Sequence, residues 1–128
     1  MKKKPRNSGL WTEARYTTFI RSALRAAFRR WPPKFEVLRN AFTERKLNPK
    51  SGKMAKHYRC ASCGKEFPLK EVQVDHIKPI VDPKKGFVDW NTFIERLYCE
   101  AKNLQVLCKD VCHKAKSTSE RARRKRKQ

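Results

Sequence analysis

Five cysteines and three histidines carry most of the chemistry this sequence could support, and their spacing is uneven. The run Cys60-Ala-Ser-Cys63-Gly64 has the Cys-x-x-Cys spacing that turns two thiolates toward one tetrahedral metal, and Gly64 permits the tight turn behind the second ligand. Cys108-Lys-Asp-Val-Cys112 supplies a second pair, with three residues between its thiols and 44 between Cys63 and Cys108. That separation exceeds a zinc-ribbon linker, so a substantial insert must leave the metal site and return to it. With all four positions filled by protein the expected site is a structural zinc, which activates no water and substitutes for core that a small domain lacks. A redox Cys-x-x-Cys would need a surrounding βαβ pattern, which the sequence lacks. Cys99 reads as a small buried apolar residue.

The insert places an acid and an imidazole side by side. In Glu71–Asp82, EVQVDHIKPIVD, a short apolar strand with Val72 and Val74 on one face runs into Asp75 and His76. Taken alone, an Asp-His pair is commonly a surface accident or a local hydrogen bond. Neighbours on a regular strand also point to opposite faces, so the two could serve one ligand only where the strand ends, and Pro79 favours such an ending. His113, directly after Cys112, could itself replace that cysteine as a zinc ligand. Asn103 could brace loop backbone through its amide, or be an ordinary turn asparagine before a strand.

Several elements must position these groups. After the strand comes the loop KPIVDPKKG, then DWNTFIERLY, where Trp90, Phe93, Ile94, Leu97 and Tyr98 keep helical spacing and Asp89 could cap the start. NLQVLC gives a second strand with Leu104, Val106 and Cys108 on one face, and CHKAKS enters a helix. In front, Trp11 to Trp31 reads as an amphipathic helix with Tyr16, Phe19, Ile20, Ala23, Leu24, Ala27 and Phe28 at three and four, and arginines largely on the other side. Pro32 and Pro33 break it, and a second helix starting at Pro33 carries Phe35, Leu38 and Phe42. Asn48 to Lys53 reads as a loop, with His57 a loop residue beside Tyr58.

Charge narrows the partners. The 128 residues hold 33 Lys and Arg against 12 acids, a net charge of +21, so a polyanion is the natural partner and nucleic acid the commonest one. Six of the last eight residues, RARRKRKQ, are basic and are expected to be mobile unless a polyanion is bound; a DNA tether and a nuclear import signal are both compatible with them. The basic start MKKKPRNSGL lacks the apolar run of a signal peptide, and no apolar segment is long enough to span a membrane, so a reducing, cytoplasmic compartment is expected. The expected organisation is a basic disordered N-terminus over 1–10, a helical basic region over 11–57, the cysteine-bracketed domain over 58–119 and a basic tail over 120–128.

The order CxxC, VDHIKPI, NLQVLC, CHKAK over residues 58 to 119 resembles the HNH endonucleases of the ββα-metal superfamily, most of all small bacteriophage-encoded members braced by a four-cysteine zinc site. The resemblance implies an α+β fold, a ββα-metal nuclease core braced by zinc and preceded by a helical segment. His76 is similar to the family's general base, Asn103 to its middle asparagine and His113 to its final histidine. Asp75 resembles the acidic metal ligand, and Asp75 with His113 would hold one divalent cation. Lys116 occupies the familiar position three after that histidine, and with Lys78 and Arg96 it is a candidate DNA contact. The stretch from Leu10 to Phe42 also resembles the N-terminal region of such phage proteins. One departure is the three-residue gap between Cys108 and Cys112, where two is common; it bears on where the helix begins and where His113 aims.

The resemblance implies metal-dependent hydrolysis of DNA, by nicking or double-strand cleavage, with a phage terminase or packaging protein as a candidate partner and the host cytoplasm as the compartment. A histidine is largely neutral at pH 7 and can take a proton from water. A carboxylate and an imidazole leave most coordination positions of Mg²⁺ or Mn²⁺ to water and phosphate. The alternative is a non-catalytic zinc module that binds nucleic acid through its basic surface.

Overall fold

Pro32 and Pro33 set the first boundary in the chain. The computed structural model describes residues 4–127, with side chains as far as residue 122, and divides the chain into two compact units, Met1–Trp31 and Pro32–Gln128. Residues 1–3 of the expected basic N-terminus and residue 128 of the basic tail lie outside the described residues. Among the described residues four α-helices and two small antiparallel sheets make an α+β fold, and no helix is long and apolar enough to cross a membrane.

In the first unit, residues 6–11 form a turn closed by paired backbone hydrogen bonds between Arg6 and Trp11, where a disordered segment was expected. Helix α1 spans Glu13–Ala27 and ends in a 3₁₀ turn, Phe28–Arg30. Thr12 caps it by accepting from the Arg15 amide at 3.1 Å, and Glu13 complements the helix dipole while pairing with Arg6. The expected amphipathic helix is present, but it buries none of its residues, and Phe19 is 60% exposed. Trp11 meets Phe19 edge-on, and Arg15 lies over the Trp11 ring.

In the second unit, α2 spans Pro32–Ala41, one residue earlier than expected. Both prolines sit in its first turn, where a missing N–H costs nothing. Phe42 does not continue the helix: it opens β1, Phe42–Asn48, which pairs antiparallel with β2, Lys53–Arg59. The predicted loop becomes the hairpin turn, with Gly52 at φ +72°. His57 is no loop residue. It lies in β2, only 3% exposed, with Nδ1 donating to the Ala55 carbonyl at 2.9 Å. Strand β3, Glu66–Pro68, completes a sheet of order β1-β2-β3.

The second sheet positions the chemistry. Strand β4, Val72–His76, pairs antiparallel with β5, Leu104–Cys108, which sets Asp75 opposite Gln105, His76 opposite Leu104 and Val72 opposite Cys108. Between them helix α3, Trp90–Leu97, starts at the Asp89 cap, whose carboxylate accepts from the Thr92 amide at 2.7 Å. Its Phe93 and Leu97 are fully buried, so burial of this face rather than length stabilises so short a helix. Tyr58, Val72 and Val106 form one core cluster, against which Val37, Leu38 and Ala41 of α2 pack. Cys60, Leu107 and Cys108 form a second, flanked by Phe67 and Cys112. After β5 the chain makes a π turn, Lys109–His113, and continues as α4, Lys114–Lys127. The backbone of the expected mobile tail is thus helical as far as residue 127.

Candidate metal centres

Each cysteine pair is built by a local turn. Cys60 follows β2, and its amide donates to the Lys65 carbonyl while Gly64 N–H donates back to the Cys60 carbonyl, which closes a knuckle that needs Gly64 at φ +75°. Cys108 ends β5, and its sulfur accepts from the Cys112 amide at 3.4 Å across the π turn. The extra residue between Cys108 and Cys112 is absorbed by that wider turn. The four sulfurs of Cys60, Cys63, Cys108 and Cys112 all lie within 4.8 Å of one another. Sulfurs about 2.3 Å from a tetrahedral zinc stand roughly 3.8 Å apart, so the cluster fits such an ion with small adjustments.

The thiols are electrostatically unequal. Burial alone would push the Cys60 thiol up, yet backbone amides of Cys63, Cys108 and Ser62 converge on its sulfur and bring it down to about 6. Hydrogen bonding to Cys108 pushes the Cys112 thiol up to about 12. The Cys60 thiolate thus forms readily while the Cys112 thiol keeps its proton, the behaviour of thiols crowded at one point and relieved when a cation replaces a proton. Cys99 stands apart, accepting weakly from the Asn103 amide nitrogen at 3.7 Å.

The second group gathers where β4 ends. Asp75 is 14% exposed, and its Oδ1 lies 3.8 Å from Nε2 of His113. Two adjacent ligands of an octahedral cation, each about 2 Å from it, stand about 3 Å apart, so this gap closes with a side-chain movement under about 1 Å. Oδ2 of Asp75 is engaged by other donors, the Lys116 ammonium at 2.9 Å and the Gln105 amide at 3.2 Å. Lys116 also donates to the His76 carbonyl at 2.7 Å and to Glu120 Oε1 at 2.8 Å, so its three N–H donors are spent on three acceptors. Burial disfavours its charge, but the hydrogen bonds to Glu120 and Asp75 outweigh that and raise its pKa.

His76 is held from the other side. Its Nε2 lies 2.8 Å from the carbonyl of Leu97, one of the last-turn carbonyls of α3 that lack a partner within the helix. A carbonyl only accepts, so Nε2 carries the proton and Nδ1 bears the lone pair in the neutral ring. Asn103 fastens the chain just beyond: its Oδ1 accepts from the Lys78 amide at 3.0 Å and its backbone carbonyl from the Ile77 amide at 2.8 Å. Asp75 and His76 therefore diverge as strand alternation requires, one tied to α4 and the other to α3.

Comparison with protein-family models, with curated proteins and with solved structures returned no match.

Geometry alone then ranks the residues singled out in the sequence. The four cysteines converge, and among the described residues they are the one set of three or more metal-ligating side chains that does so. Asp75, His113 and Lys116 come together, whereas the His76 ring and the Asn103 amide are held by other partners, the Leu97 carbonyl and the Lys78 amide. Lys78 and Arg96 are exposed, on the loop after β4 and on α3. Sequence reading missed Gln105, Glu120 and the Leu97 carbonyl. Lys116 and Glu120 form an i,i+4 pair that the sequence already displays. Gln105 reaches Asp75 only through the strand register, and a backbone carbonyl leaves no mark in a side-chain pattern.

Proposed function

We propose that this chain is an HNH-type, ββα-metal DNA endonuclease that hydrolyses phosphodiester bonds with one divalent cation, Mg²⁺ or Mn²⁺, held by Asp75 and His113. We further assign a structural zinc to the four-cysteine cluster. The observation that carries the reading is the approach of Asp75 Oδ1 to His113 Nε2 at 3.8 Å, at a strand end whose next residue, His76, donates from Nε2 to the Leu97 carbonyl. The succession β4, β5, α4 supports the ββα assignment, and the net charge of +21 supports a nucleic-acid substrate.

The bound cation would supply positive charge where negative charge builds up on the phosphate and its leaving oxygen. His76 accepts the proton of the attacking water at Nδ1, because Nε2 is committed to Leu97. The Leu97 carbonyl orients the ring and stabilises the imidazolium that forms, since a hydrogen bond from a charged donor is about twice as strong as a neutral one. In an in-line displacement the attacking and leaving oxygens lie on opposite sides of phosphorus, so His76 and a cation held by Asp75 and His113 would act on the phosphate from opposite sides. Asn103 holds the Ile77–Lys78 backbone and so fixes the strand end that carries His76.

Supercoiled plasmid incubated with the zinc-loaded protein and Mg²⁺ or Mn²⁺ is expected to become nicked or linear, and EDTA is expected to stop the conversion. If plasmid stays supercoiled under every divalent cation, the enzyme reading fails, and gel retardation of the same plasmid would then favour the non-catalytic zinc module.

A further inference from the structure

One ammonium ties together the two residues of the strand end that the proposed reaction separates. Lys116 Nζ donates at once to the Asp75 carboxylate and to the His76 carbonyl, and Gln105, directly across the ladder, donates to the same carboxylate oxygen. Oδ2 of Asp75 is thereby filled, while Oδ1 is the oxygen turned toward His113. We infer that Lys116 and Gln105 are positioning residues that make Asp75 a one-oxygen ligand, and that Lys116 keeps cation affinity low in return for a fixed ligand geometry. This inference rests on the reading of Asp75 and His113 as the cation site.

A carboxylate with both oxygens available can chelate a cation through two atoms and swing to do so, whereas one with Oδ2 held by two donors presents a single oxygen in one direction. A positive charge on the same carboxylate also repels an arriving dication, and the pair is only about one-quarter exposed on the lysine side and less on the acid side, so solvent screens that repulsion poorly. Finally, the His76 carbonyl on the same ammonium couples the ligand's orientation to that of the backbone bearing the proposed base, at 2.7 Å. Glu120 completes the lysine's three acceptors and keeps the ammonium in place when Oδ1 binds a cation. A lysine that served only to stabilise the fold would have no reason to weaken cation binding while aiding turnover.

Both effects can be read on the full zinc-loaded chain by calorimetric Mn²⁺ titration, single-turnover plasmid cleavage and circular dichroism. Lys116→Met keeps the aliphatic stem and removes the charge, and Gln105→Leu keeps the volume and removes the donor. For Lys116→Met, Mn²⁺ is expected to bind on the order of tenfold more tightly while the cleavage rate at saturating Mn²⁺ falls at least as much. Gln105→Leu is expected to shift both quantities the same way by a smaller factor, and Lys116→Arg, which keeps the charge, to bind Mn²⁺ within about threefold of wild type. Equal or weaker Mn²⁺ binding by a folded Lys116→Met protein overturns the inference, as does an unchanged rate in both variants. If Lys116→Met does not fold, the same criteria applied to Gln105→Leu decide. Asp75→Asn separates this inference from the reading beneath it. If wild type and Asp75→Asn take up Mn²⁺ alike, the cation site itself is wrong. If Asp75→Asn alone loses Mn²⁺, the site stands, and the Lys116 and Gln105 variants decide.

Discussion

Replacing Asn103 by alanine should separate stability from turnover. The side chain makes one good hydrogen bond, Oδ1 accepting from the Lys78 amide at 3.0 Å, and one weak contact with the Cys99 sulfur. The bond from the Ile77 amide goes to the Asn103 backbone carbonyl and survives the substitution. Lys78 is exposed, so water can satisfy its amide, and the net cost is about 1 kcal/mol. In a domain of roughly 100 residues that lowers the melting temperature by about 4–8 °C and leaves the protein folded at 25 °C. The consequence for the reaction is larger. The loop after β4 gains freedom next to His76, and a displacement near 1 Å of a catalytic group costs roughly 100-fold in rate. Single-turnover plasmid cleavage at 25 °C, with calorimetric melts of the same samples, checks both magnitudes. Asn103→Asp keeps the acceptor and should retain far more activity than Asn103→Ala. A cleavage rate for Asn103→Ala within a few-fold of wild type would refute the brace.

Three further outcomes follow from the same geometry. Cys60→Ala should reduce bound zinc from about one ion per chain, measured by atomic absorption, and lower the melting temperature. Deleting Val111, which is 68% exposed, restores a two-residue gap between the cysteines; zinc content should persist while cleavage falls by roughly 100-fold, because removing the π-turn residue redirects His113 from Asp75. The Asp89 carboxyl is held below its usual range chiefly by the Thr92 amide, so its capping contribution is present above the ordinary carboxylate pKa and is lost as pH falls through the lowered one. The difference in melting temperature between wild type and Asp89→Ala should therefore shrink on going from pH 7 to pH 3, whereas a constant difference would show that the carboxylate's charge plays no part in the cap.

What could be read in the sequence was local in character. Cys60 and Cys63, Asp89 ahead of Trp90, and the tight turn at Gly64 each depend on residues within a few positions, and the structure has all three. The hairpin of β1 and β2 was invisible because FTERKLN is largely polar and a register irregularity between Phe42 and Arg45 interrupts its alternation. The burial of His57 follows from that hairpin and was missed with it. Asp75, His76, Asn103 and His113 were picked out by order along the chain, but their division between α3 and α4 depends on strand register. Register also brought in Gln105, and His113 closes a π turn over Lys109–His113 whose i to i+5 bonding the sequence pattern does not display.

The most direct test of the central claim concerns His76. In the proposed reaction the ring accepts a proton at Nδ1 while Nε2 donates to the Leu97 carbonyl, so His76→Ala should leave zinc content and plasmid retardation within about twofold of wild type. Single-turnover cleavage in Mg²⁺ should fall by roughly 100-fold or more, as loss of a general base requires. Cleavage by His76→Ala at the wild-type rate, with the protein folded and bound to DNA, would contradict the account.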